Sequence, residues 1–91
     1  MKKQDALSKS FDFIFAELKK AEAKFPGWPE DVVHGAAILA EEAGETVQAA
    51  LDYYYHRCES KEKMIKEAAQ AGAMALRFLT AIIEKEEVND E

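Results

Sequence analysis

Cysteine is nearly absent: Cys58 is the only one among 91 residues, so no disulfide can close within the chain. It lies in a polar segment with no evident orienting groups, and reads as an ordinary side chain. Proline occurs twice and glycine four times, and no glycine-rich phosphate loop is present. No run approaches the ~18 apolar residues that cross a bilayer. The opening Met1-Lys2-Lys3-Gln4-Asp5 is charged without a following apolar stretch, so no signal peptide is expected and the default location is the cytoplasm. Basic charge is also scarce, with 12 Lys and Arg against 18 Asp and Glu and a formal net charge of -6. That balance argues against a sequence-independent nucleic-acid binder, which needs a basic face to displace counterions. It leaves a nucleotide substrate open, because a bound cation reverses the local field.

What is abundant is helix-forming apolar sequence, 48% hydrophobic, in a length that suits one domain over residues 1–91. Leu7, Phe11, Ile14, Leu18, Ala21 and Phe25 recur at steps of four and three, predicting an amphipathic helix over about 4–24. Phe25-Pro26-Gly27-Trp28-Pro29 stops it. A second helix over about 30–57 starts on Glu30 and Asp31, which suit the positive end of its dipole. Val33, Ala36, Ala37, Ala40, Val47, Leu51 and Tyr54 form its expected apolar face, opposite a polar stripe of His34, Glu41, Glu45, Gln48, Asp52 and His56. After a break at Cys58-Glu59-Ser60, with Ser60 as a cap, a third helix spans about 61–86 and is apolar almost all round from Ala68 to Ile83. The tail from Glu84 is charged and expected to fray. The fold class is therefore all-α, an antiparallel helical bundle. Its third helix needs more cover than two partners supply, so a homodimer completing a four-helix-type core is expected.

The chemistry concentrates in acids. Glu42 and Glu45 share one side of a helix, as do Glu41 and Glu45, and alone this reads as a solvated acidic stripe. Glu67 and Gln70 change the weighing. They share a face with Ala71, Met74, Phe78 and Ala81, so they head a stripe that reads as buried. A buried carboxylate must be paired, protonated or metal-bound, since leaving it bare costs several kcal/mol. Arg77 is the only basic residue from Ala68 to Ile83 and cannot balance four acids. Side by side, the two helices would bring together hard oxygen ligands suited to Mg²⁺ or Mn²⁺. No Cys/His pairs suit a structural zinc, and neither histidine completes a Glu-x-x-His di-iron motif.

Glu41-Glu42-Ala-Gly-Glu45, twenty-one intervening residues, then Glu67-Ala-Ala-Gln70 resembles the EExxE…ExxD signature of the MazG-like all-alpha nucleoside triphosphate pyrophosphohydrolases. The string from Phe25-Pro-Gly-Trp-Pro through His34-Gly-Ala-Ala-Ile-Leu-Ala looks like a short phage- or cassette-type branch of that group, and the likeness covers roughly Lys24 to Ile83. The resemblance implies Mg²⁺-dependent cleavage of an NTP or dNTP between the α and β phosphates, possible house-cleaning of unwanted nucleotides, and a dimer or tetramer. It implies Glu42, Glu45, Glu67 and Gln70 as metal ligands, and Glu41 as the group that orients or deprotonates water. Gln70 stands where the signature has Asp, which implies weaker metal affinity and one ion in place of two, in either a branch that works with Gln at this position or a protein with impaired catalysis that only binds nucleotide.

Phe25 and Trp28 are candidates to stack on a base or roof the site, or equally to plug the bundle's open end. Lys24, Lys63, Lys66 and Arg77 are candidate phosphate contacts, or else solvated or core-edge cations. Tyr53, Tyr54 and Tyr55 serve the core or a subunit contact. The rivals to an enzyme are a helical interaction module whose acids face solvent or a basic partner, and a nucleotide sensor that binds without cleaving.

Overall fold

A computed structural model describes residues 1–57 and 60–90, with side chains described as far as Glu86. Cys58, Glu59 and the side chains of the charged tail beyond Glu86 lie outside the described residues. The chain is all-helical: α1 is Lys3–Lys24, α2 is Val32–Tyr54 and α3 is Glu62–Asp90. Among the described residues there is no strand, and no helix is long and apolar enough to cross a membrane.

Local chemistry accounts for the helix ends. Asp31 caps α2, its Oδ1 accepting from the backbone N–H of Val33 at 2.8 Å and of His34 at 3.4 Å. The other end of α2 falls short of the expected Arg57. His56 adopts φ 60, in the left-handed region, and turns the chain away. His56 N–H then bonds Tyr53 O and Arg57 N–H bonds Asp52 O, the 5→2 and 6→1 pattern of a Schellman stop. Ser60 Oγ accepts from Glu62 N–H at 3.1 Å at the start of α3. That helix continues through Asp90, past the expected end at Glu86.

α3 is the central element. It packs against both α1 and α2, which make no contact with each other. The expected bundle is therefore open along one side. Small residues set the close approaches: among the described residues the buried positions are Gly35, Ala49, Ala69 and Ala73. A Cβ on Gly72 would lie 2.9 Å from Ile14 Cδ1, which shows how closely α1 crosses α3.

The apolar face expected for α2 is not the one that packs. Val33 is 76% exposed, and Val47, Leu51 and Tyr54 are exposed as well. The covered face runs instead through Gly35, Ile38, Glu42, Thr46 and Ala49. Gly35, Glu42 and Ala49 each lie two residues beyond Val33, Ala40 and Val47, about 200° of helical rotation away. Gly35 leaves room for the Trp28 and Phe78 side chains and Ala49 is buried, and that close packing outweighs the apolar bulk on the other side. The single chain is correspondingly spread out. Its radius of gyration is 15.2 Å, against about 12 Å for a compact chain of this length. It exposes 7072 Å², against about 5,300 Å² expected from its 10.2 kDa mass.

Candidate metal centre

The covered face of α2 brings its acids to α3. One carboxylate oxygen from each of Glu42, Glu45 and Glu67 lies within 4.8 Å of the others. Glu42 and Glu67 are half-buried and Glu45 is exposed. Glu42 Oε2 and Glu67 Oε2 are buried atoms with no hydrogen-bond partner among the described residues. The one hydroxyl nearby in sequence, Thr46 Oγ1, turns back to Glu42 O on its own helix at 3.1 Å. A polar atom buried without a partner is costly, and two in one cluster of acids mark a place that a cation would satisfy.

Electrostatics agree with the geometry. Burial raises the Glu42 carboxyl above its ordinary 4.5, and the charges of Glu45, Glu67 and Glu41 raise it further. Burial raises Glu67 as well, reinforced by hydrogen bonding to Glu45 and by the Glu45 charge, while Lys63 and Lys66 draw it down. All-oxygen donors with this much unrelieved negative charge fit a hard divalent cation such as Mg²⁺ or Mn²⁺.

Beside the cluster lies a groove of ≈ 790 Å³, left between α1 and α2 where they stand apart over α3. Gln70, Ala73, Met74 and Arg77 supply its α3 side, and Ile38, Glu41 and Glu42 its α2 side. Glu17, Lys20, Ala21 and Lys24 line it from α1, and Phe25, Gly27, Trp28 and Pro29 from the connector. Of the residues expected at a site, Glu41, Glu42, Gln70, Phe25, Trp28, Lys24 and Arg77 thus share one groove. Lys66 lines it too.

Several of these side chains are already engaged. Arg77 Nη2 donates to Phe25 O at 2.6 Å and Gly27 O at 3.1 Å, and its guanidinium lies 5.0 Å from the centre of the Trp28 ring. Arg77, a candidate phosphate contact or core-edge cation, is thus tied to the connector while it lines the groove. Trp28 is half-buried over Gly35, where an added Cβ would meet its Nε1 at 3.1 Å and Phe78 Cδ1 at 3.2 Å. It plugs the junction of connector, α2 and α3, while part of it faces the groove. Phe25 is exposed, with Lys24 Nζ 5.4 Å from its ring centre. Lys63 does not line the groove; it reaches Asp52 at 4.0 Å. Asp52 also accepts from Gln48 and Arg57 and belongs to the α2 terminus. Those hydrogen bonds hold its carboxyl below the usual range.

Two charged groove residues were not among the site candidates read from the sequence, Glu17 and Lys20. Glu17 is three residues after Ile14 and four before Ala21, so it interrupts the apolar stripe of α1, and that was the available signal. It accepts from Gln70 Nε2 at 3.4 Å and pairs with Lys20 at 3.5 Å.

Fold and site together define an all-helical protein with a three-carboxylate, cation-compatible cluster at the edge of an open groove. Compared with known protein families, with curated proteins and with solved structures, the chain matches none.

Proposed function

We propose that this chain is a Mg²⁺-dependent nucleoside triphosphate pyrophosphohydrolase, acting as a homodimer or tetramer in the cytoplasm. The observation that carries the reading is the convergence of Glu42, Glu45 and Glu67 within 4.8 Å, with two buried oxygens unpartnered. The EExxE and ExxQ spacing, read as MazG-like, supports it.

In this reading Glu42, Glu45 and Glu67 hold Mg²⁺ or Mn²⁺. The Gln70 amide contributes its oxygen, because its NH₂ is turned to Glu17. When bound, the ion neutralises phosphate charge and makes water more acidic. Glu41, exposed at the groove, accepts the proton of the attacking water. The water oxygen bonds to the α-phosphorus, the α–β bridge breaks, and pyrophosphate leaves with the bridging oxygen. Lys20, Lys24 and Lys66 offset the charge of the leaving group. Pyrophosphate release from a panel of standard and modified triphosphates, with Mg²⁺ or Mn²⁺, tests the claim. Folded protein that turns over none of them removes it.

One observation favours a second reading, a sensor that binds nucleotide without cleaving it: Gln70 is neutral and already bonded to Glu17. That reading requires metal-dependent thermal stabilisation by nucleotide with no pyrophosphate released.

The exposed stripe from Val33 to Tyr54 supports the oligomer. The surface in excess of a compact monomer, 7072 Å² against about 5,300 Å², is comparable to what one subunit gives up in a sizeable interface.

A further inference from the structure

The connector between α1 and α2 cannot fasten itself. Pro26 and Pro29 have no N–H to give, and no backbone–backbone hydrogen bond lies within residues 26–30. Its carbonyls are served from α3 instead. Arg77 takes Phe25 O and Gly27 O, and Lys85, about two turns further along, donates to Glu30 O. The guanidinium also covers Trp28, whose indole lies over Gly35. The connector is thus held at the end of α1, at its middle and just before the Asp31 cap of α2.

That matters because α1 and α2 do not touch. Lys20 and Lys24 on one wall, and Glu41 and Glu42 on the other, keep their separation only through α3 and this short link. The geometry points to Arg77 as a positioning residue: with Lys85 it latches the connector onto α3 and sets the spacing of the two groove walls. Its kinetic consequence rests on the pyrophosphohydrolase reading; its structural consequence does not. Arg77 acts here through two carbonyls and an indole, for which a lysine is a poor substitute, because the ammonium lacks the planar fork and the stacking face.

Trp28 is the only tryptophan in the chain, so its emission reports the connector directly. The test compares Arg77→Lys, Arg77→Gln and Lys85→Gln for Trp28 emission and acrylamide quenching, Mn²⁺ affinity, and kcat with KM. Both Arg77 variants are expected to red-shift Trp28 and raise its quenching alike, with unchanged Mn²⁺ affinity. Lys85→Gln gives a smaller change in the same direction. A wall shifted by an ångström lowers kcat by up to about 10²-fold, and Arg77→Lys does not rescue it.

If Arg77→Lys restores both emission and kcat while Arg77→Gln does not, charge alone matters and the latch is overturned. Unchanged quenching in all three variants overturns it too. Should Arg77→Gln fail to fold, Lys85→Gln at an exposed site still carries the fluorescence test. Trp28 loosened in protein that never releases pyrophosphate leaves the latch standing and removes the enzymatic reading.

Discussion

Gln70 on α3 donates its Nε2 to Glu17 Oε2 on α1 across 3.4 Å, and the Glu17 side chain is only 13% exposed. A carboxylate only accepts, so this contact fixes which end of the amide faces Glu17 and leaves Gln70 Oε1 for another partner. The acid on α1 carries a negative charge there, and the amide facing it from α3 is neutral.

Gln70→Asp sets two carboxylates against each other there. Without metal the variant is expected to lose about 1–2 kcal/mol, the cost of a lost charged hydrogen bond plus repulsion. Its Mn²⁺ affinity is expected to rise, because a charge is added beside the cluster. Urea unfolding in chelator and calorimetric titration read the two effects; an unchanged metal-free stability removes the role given to Glu17.

Glu42→Gln and Glu67→Gln should behave in the opposite sense. Each relieves a buried, crowded charge, so metal-free protein melts higher, and about 1 kcal/mol moves Tm by roughly 4–8 °C in a domain this size. Each also abolishes stabilisation by Mn²⁺ and pyrophosphate release. Thermal scans with and without metal decide it, and a lower Tm in chelator for both variants would contradict the account of the cluster.

The pH dependence follows from the same two carboxyls. Both are raised in the fold above 4.5, so at a given pH the folded state binds more protons than the unfolded one. Their contribution to metal-free stability is therefore greatest below the ordinary value and is lost as pH rises through the raised ones. Mn²⁺ competes with those protons, so its Tm increment grows across the same window. Scans at mildly acidic and neutral pH check this, and an increment that shrinks toward neutrality is the contrary result.

Val47→Glu combined with Leu51→Glu charges the exposed stripe of α2 without touching its covered face. Sedimentation should show the native chain as a dimer or tetramer and the double variant as a monomer. A native monomer at micromolar concentration excludes the proposed oligomer.

His56 offers a separate check on the fold. With φ 60 it occupies a conformation that glycine adopts freely, so His56→Gly should stabilise the protein by about 0.5–1 kcal/mol in urea unfolding. A loss of stability would mean that the imidazole contributes more than the backbone strain costs.

Much of this was legible in the sequence, for identifiable reasons. Pro26 and Pro29 punctuate α1 and α2, Asp31 and Ser60 mark helix starts, and the Glu42–Glu45–Glu67 spacing needs only two adjacent helices. The packed face of α2 was not legible. Periodicity weighs apolar bulk, and here the bulky stripe faces outward while Gly35 and Ala49 do the packing. The tie of Arg77 to the connector was not legible either, because backbone carbonyls leave no trace in a residue string. Glu17 was overlooked because its meaning depends on α1 crossing α3 at Gln70, a long-range relationship.

The separation of α1 from α2 divides the labour of the molecule. Every acid of the cluster belongs to α2 and α3, while α1 contributes only one bank of the groove. Substitutions at Lys20, Ala21 or Lys24 can therefore reshape what the groove admits and leave the carboxylates undisturbed. A chain built this way can change its clientele by rewriting a single helix.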